Sequence, residues 1–128
     1  MTQILIVDDS PTIRRMVRAS LSSLDAEFVE ACSGLEAIER LALAEVQLMV
    51  LDLNMPDMHG LEVLTFVRGQ QKYSTLPIVV LTTRGDDTSR QAALQAGATA
   101  FMTKPFAPQA LVNQALALLA SKPPSGTV

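Results

Sequence analysis

The chain has 128 residues, the size of one domain with its own core. It is 48% hydrophobic and 18% charged, with a formal net charge of −3, and it has no basic cluster to release counterions from a phosphate backbone, which excludes a nucleic-acid surface. Its longest apolar stretches, such as Leu48 to Leu51, are far too short to cross a bilayer, and no charged leader precedes the first apolar run, so no membrane association and a cytoplasmic location are expected.

Five short apolar runs alternate with helical patterns. The first run is Ile4-Leu5-Ile6-Val7. A first helix follows through Ile13, Met16, Val17, Leu21 and Leu24, with Ser10 as its N-cap and Pro11 at its first position. The second run, Phe28-Val29, lies between Glu27 and Glu30. Gly34 opens a second helix with Leu35, Ile38, Leu41 and Ala42 on one face. The third run, Leu48 to Leu51, ends at Asp52. A loop from Asn54 to Gly60 leads to a third helix through Leu61, Leu64 and Val67. The fourth run, Ile78 to Leu81, ends at Thr82. Asp86 and Asp87 then cap a fourth helix that ends near Gly97. Ala100-Phe101-Met102 is the fifth run, followed by Lys104-Pro105. The last helix carries Val112, Ala115, Leu116 and Leu119. Residues 1–121 read as one domain, and the Pro/Ser/Gly-rich residues 122–128 as a disordered tail or the start of a linker.

Alternating strands and helices imply βαβ units and a parallel sheet. Strands covered on both faces read as continuous apolar runs. Runs one, three and four do so, and runs two and five do not, which places the latter at the edges. The fold class is α/β: a doubly wound, five-stranded parallel sheet of order 2-1-3-4-5, flavodoxin-like, with helices on both faces. Ligands of such sheets bind at the carboxyl ends of the strands where the order reverses, here between strands 1 and 3.

Asp8 and Asp9 end strand 1 and Asp52 ends strand 3, so three carboxylates converge at that reversal. Unmatched like charges at a few ångströms repel by about 1 to 4 kcal/mol per pair at effective dielectrics of 80 to 20, so the cluster either raises a pKa or takes a cation. Oxygen-only ligands select a hard cation, Mg²⁺ or Mn²⁺. Thr82 and Lys104 fall on the same rim, where a hydroxyl and an ammonium would match the charge of a phosphorylated Asp52. One cysteine, Cys32, permits no internal disulfide, and it reads as a small buried hydrophobe. The one histidine, His59, has no G-x-S-x-G motif beside it and reads as a loop residue.

Four segments stand in order at strand ends: Val7-Asp8-Asp9-Ser10, Leu51-Asp52-Leu53-Asn54-Met55-Pro56 with Gly60, Leu81-Thr82-Thr83, and Lys104-Pro105-Phe106. Together they resemble the receiver domain of two-component response regulators. The run from Asp9 to Arg18 is similar to the single-domain chemotaxis-type (CheY-like) regulators. That family is itself a standard example of the 2-1-3-4-5 order, so the strand order above is not independent of the resemblance.

The resemblance implies that Asp52 is the phosphoacceptor, attacking the phosphohistidine of a histidine kinase or phosphotransfer protein. It implies that Asp9, Asp52 and the backbone carbonyl of Asn54 ligate Mg²⁺ directly and Asp8 through water. Lys104 is expected to pair first with Asp52 and then with the phosphoryl group. Thr82 turns its hydroxyl toward that group, and Phe101 rotates inward. Lys104-Pro105 is expected to be a cis peptide, a form taken by only about 5–6% of X–Pro bonds. A downstream protein would be bound by helix 4, strand 5 and helix 5. Helix 4 has weak apolar content in Ala92, Ala93, Leu94 and Ala96, so it is expected to be the mobile element. Thr83 stands where the family often has alanine, and Arg84 where the chemotaxis regulator has an acid. Arg84, with Asn54, is expected to modulate hydrolysis of the phosphoryl group.

The implied product is a regulatory monomer that catalyses only its own phosphorylation and dephosphorylation. A haloacid-dehalogenase-type phosphatase also forms an aspartyl phosphate, but it carries a second aspartate where this chain has Asn54. A phosphorylation-independent interaction module has no need of Asp8, Asp9, Asp52, Thr82 and Lys104 together. No G-x-G-x-x-G follows the first strand, which sets aside a dinucleotide site. A receiver cut from a larger multi-domain regulator or hybrid kinase stays open.

Overall fold

The apolar runs become strands because both of their faces are covered. In the computed structural model, which describes residues 2–55, 57–83 and 85–120, strands β1 (Thr2–Val7), β2 (Ala26–Ala31), β3 (Leu48–Asp52), β4 (Ile78–Thr82) and β5 (Ala100–Thr103) form one sheet. Every pair is parallel and the order is β2-β1-β3-β4-β5. All residues of β3 and β4 are buried. Arg84 and the tail read at 122–128 lie outside the described residues.

Successive strand residues point to opposite faces, and that period of two divides the core. Leu5, Val7, Met49, Leu51, Ile78 and Val80 pack under α2 (Gly34–Leu43), α3 (Gly60–Arg68) and α4 (Asp87–Ala96). Ile4, Ile6, Leu48, Val50, Val79 and Leu81 pack under α1 (Pro11–Ser20) and α5 (Pro108–Ala120). α1, α2 and α3 start where a side chain caps them, whereas Asp86 is the N-cap residue of α4 without a side-chain capping bond. Ser10 Oγ accepts from the N–H of Ile13, and Ser33 Oγ accepts from that of Glu36. His59, read as a loop residue, is the N-cap of α3: its Nδ1 accepts from the N–H of Leu61, and Glu62 Oε1 accepts from the N–H of His59. Gly97 ends α4 at φ 117, in the left-handed region that glycine enters without strain. Among the described residues no helix is long and apolar enough to cross a membrane.

Several local expectations need correction. β2 is six residues long rather than two, paired with β1 from Thr2↔Ala26 to Val7↔Ala31. It is an edge strand, so polar Glu27 and Glu30 interrupt its pattern without breaking its ladder. Cys32 is exposed, because it lies in the turn beyond that edge strand, where its N–H donates to Glu36 Oε1 at 2.7 Å. Met16, Leu35 and Leu116 are exposed, as is Ala42. α2 instead buries Gly34, Ala37 and Leu41, and α5 buries Leu111, Val112 and Ala115, because a helix lying on a sheet covers only a narrow stripe.

Candidate functional site

The pairing of β1 with β3 ends at Val7↔Leu51, so the next residues on both strands, Asp8 and Asp52, stand side by side. They are only 3% and 4% exposed, so neither carboxylate can rely on bulk water for its solvation. Asp9 is exposed at the mouth. Carboxylate oxygens of Asp8, Asp9 and Asp52 lie within 4.8 Å of one another.

Lys104 reaches this cluster from beyond β5. Its N–H donates to the carbonyl of Thr82 at 2.8 Å, which seats it on the rim. Its ammonium Nζ lies 2.7 Å from Asp8 Oδ2 and 3.2 Å from Asp52 Oδ1. The contact with Asp52 is the one the resemblance implies before phosphorylation, and the shorter contact with Asp8 stands beside it. Thr82 is fully buried, and its Oγ1 accepts from Asn54 Nδ2 at 3.4 Å. Thr83 is exposed on the same rim. Phe101 is half-buried and packs on the α2, α3 and α4 side of the sheet. The Lys104–Pro105 peptide bond is cis.

Gly60 is required by close approach. A Cβ there would lie 2.6 Å from the Asp52 carbonyl oxygen and 2.6 Å from Leu53 Cα. Without it, the N–H of Gly60 donates to the carbonyl of Leu53 at 2.8 Å and α3 begins against the end of β3.

Burial raises the pKa of Asp52, and the neighbouring Asp8 charge raises it further. Lys104 and the Asn54 backbone N–H oppose these effects without cancelling them. Among the described residues three carboxylates meet one ammonium here, which leaves negative charge for a cation to match, and all the carboxylate donors are oxygens. This donor set fits a hard divalent cation.

Two residues that shape the site escaped the sequence reading. Arg14 Nη1 donates to the carbonyl of Asp8 at 2.7 Å. Nothing in the helical pattern distinguishes Arg14 from its exposed neighbour Arg15. Asp57, in the loop after β3, accepts from the N–H groups of Gly34 and Leu35 at 3.2 and 3.1 Å and so caps α2 from outside it. Burial works to raise the pKa of its carboxyl, but these backbone N–H bonds outweigh that and hold it below the usual carboxylate range.

Residues 4–116 match the response regulator receiver domain. The chain belongs to that family. This receiver is 41% identical over 111 residues to the chemotaxis protein CheY1 of Helicobacter pylori, spanning 85% of this chain and 90% of that protein. The structure of the chemotaxis protein CheY4 of Vibrio cholerae superposes with a TM-score of 0.86 at 36% identity, over 92% of this receiver and 98% of that chain. The Mn²⁺-bound form of response regulator Rcp1 superposes with a TM-score of 0.79 at 26% identity, over 94% of each chain. The receiver is thus of the CheY-like kind. Such domains are regulatory phosphoacceptors rather than classical enzymes.

Proposed function

We propose that this receiver accepts a phosphoryl group on Asp52 from the phosphohistidine of a histidine kinase or phosphotransfer protein, and that the added charge switches a protein-binding surface. The observation that carries the reading is a buried Asp52 carboxylate gathered with Asp8 and Asp9 within 4.8 Å and faced by one ammonium at 3.2 Å. Asp9, Asp52 and the Asn54 carbonyl would hold Mg²⁺ or Mn²⁺ directly, and Asp8 through water. The Mn²⁺-bound form of response regulator Rcp1 supports that choice of ion. When bound, the cation offsets charge on the phosphoryl oxygens.

The chain's own groups do the rest. An Asp52 oxygen attacks phosphorus in line. The O–P bond forms as the P–N bond to the donor imidazole breaks, and the imidazole leaves with the electron pair and takes up a proton. Lys104 then turns from the Asp8–Asp52 pair to the phosphoryl oxygens, and Thr82 donates its hydroxyl to them. Phe101 follows Thr82 inward, which biases the surface of α4, β5 and α5 toward a target protein. Thr83 borders the entry path, and Asn54 and Arg84 set the rate at which water removes the group. Asn54, two residues beyond Asp52, cannot act as the acid/base of a phosphatase, which supports self-limited chemistry rather than turnover. The receiver works as a cytoplasmic monomer in this account.

The test is incubation with Mg²⁺ and acetyl phosphate, followed by borohydride reduction and peptide mapping. The expected result is homoserine at position 52 only when Mg²⁺ is present. Unmodified Asp52 under these conditions, in folded protein, refutes the proposal.

A further inference from the structure

The acidic pair leaves β1 at the point where the sheet stops supporting it. The last main-chain bond there is the N–H of Asp8 to the carbonyl of Ala31 at 3.1 Å. The carbonyl of Asp8 lies beyond the ladder in a residue only 3% exposed, and a buried carbonyl needs a donor. Arg14 is that donor, through Nη1 at 2.7 Å. The same guanidinium is held from its other side, because Nε donates to Glu30 Oε1 at 2.9 Å. Glu30 is shared in turn with Arg18, whose Nη1 donates to Oε2 at 2.7 Å. Arg18 also lies over the Phe28 ring, 5.6 Å from its centroid. A chain of contacts therefore runs from the edge strand β2, through α1, to the peptide that joins Asp8 to Asp9.

We propose that Arg14 is a positioning residue for the cation site: it fixes the Asp8–Asp9 peptide so that both carboxylates face Asp52, while Glu30 offsets part of the guanidinium charge that would otherwise repel a dication. This rests on the cation-assisted reading given above. The two halves of the device are separable. Ser10 already ties down one Asp8 oxygen, its N–H donating to Oδ1 at 2.9 Å, and Lys104 holds the other at 2.7 Å. The orientation of exposed Asp9 is left to the peptide that Arg14 grips. Lysine cannot replace it, since one ammonium lacks the planar fork that serves Asp8 and Glu30 together.

The experiment compares wild type, Arg14→Gln, Arg14→Lys, Glu30→Gln and, as a control, Arg15→Gln. The readouts are the Mg²⁺ dissociation constant by calorimetry and the apo amide NMR positions of Asp8, Asp9 and Ser10. Outer partners of ligating groups typically change metal affinity about tenfold or more, so Arg14→Gln is expected to weaken Mg²⁺ binding by about tenfold, with Arg14→Lys giving little rescue. Glu30→Gln is expected to weaken it about threefold, the size of an exposed charge effect. Arg15→Gln should leave it unchanged. If wild type binds no Mg²⁺, the reading of the site itself fails. If wild type binds and folded Arg14→Gln binds equally well, the positioning role is wrong even though the site stands. Should Arg14→Gln not fold, Glu30→Gln decides: unchanged Mg²⁺ affinity with unshifted Asp9 and Ser10 amides overturns the proposal.

Discussion

Replacing Asp52 by asparagine should stabilise the metal-free protein at neutral pH. The variant keeps the shape of the side chain and removes one of three carboxylates gathered within 4.8 Å. At that outer distance, with effective dielectrics of 80 to 20, each like-charge pair costs about 0.9 to 3.5 kcal/mol, and Asp52 makes two such pairs. The Lys104 contact at 3.2 Å offsets about 1.3 to 5.2 kcal/mol of this. The remainder is a gain of about 0.5 to 2 kcal/mol, or about 2 to 8 °C in Tm for a chain of this size. Burial of the charged carboxyl acts in the same direction and is the largest cause of its raised pKa. A raised folded-state pKa means that the folded protein holds the proton more tightly than the unfolded chain. The contribution of Asp52 to stability is therefore present at acid pH and lost as pH rises through the folded-state pKa. The gap between variant and wild type should open over that range and close on acidification. Mg²⁺ should stabilise wild type, since a ligand of the folded state adds to stability, and should do less for the variant. Thermal unfolding in EDTA and in Mg²⁺, across pH, measures all of this. A variant equal to or less stable than wild type in EDTA at pH 7 would refute the electrostatic reasoning.

Lys104→Ala leaves Asp8 and Asp52 buried without their ammonium, so stability in EDTA should fall by about 3 to 5 kcal/mol, with part of it restored by Mg²⁺. No restoration by the ion would count against a shared charge-matching role. Gly60→Ala places a Cβ 2.6 Å from the Asp52 carbonyl and should cost about 1 to 3 kcal/mol in urea unfolding, whereas a neutral effect would mean that α3 can shift freely. Burial tends to raise the Glu30 pKa, but hydrogen bonds and charge from Arg14 and Arg18 outweigh it and hold the carboxyl below its usual range. Its stabilising contribution is thus present above the unfolded-state pKa and lost as pH falls through the folded one. Because the side chain is 33% exposed, that contribution should be below about 1 kcal/mol, seen as a Glu30→Gln deficit at pH 7 that closes on acidification. α4 buries only the small Ala93, whereas α1 buries the larger Val17 and ends on fully buried Leu21, so the amides of α4 should exchange faster than those of α1, and slower exchange would contradict its role as the mobile element.

The strand order was legible because burial on two faces leaves a continuous apolar run, as in Leu48 to Leu51, and burial at an edge does not. The acidic cluster was legible because Asp8 and Asp52 follow such runs directly, so the sheet alone brings them together. What sequence reading missed depends on tertiary partners. The length of β2 is set by its pairing with β1, not by its own pattern of Glu27 and Glu30. The exposure of Leu35 and Leu116 follows from how narrowly each helix is covered, and that of Cys32 from its place in the turn after β2. That Lys104 also reaches Asp8 is a matter of contact between elements far apart in the chain, and that Arg14 rather than Arg15 grips Asp8 depends on which way each side chain leaves α1.

In the proposed mechanism the ends of β1 and β3 deliver their acids to one divalent cation. Titrating ¹⁵N-labelled protein with Mn²⁺ tests it most directly, since the ion broadens nearby amides. Asp8, Asp9, Asp52 and Asn54 are expected to broaden first, Mg²⁺ to compete the effect away, and Asp52→Asn to weaken it. Broadening centred elsewhere, or none at these four amides, would contradict it.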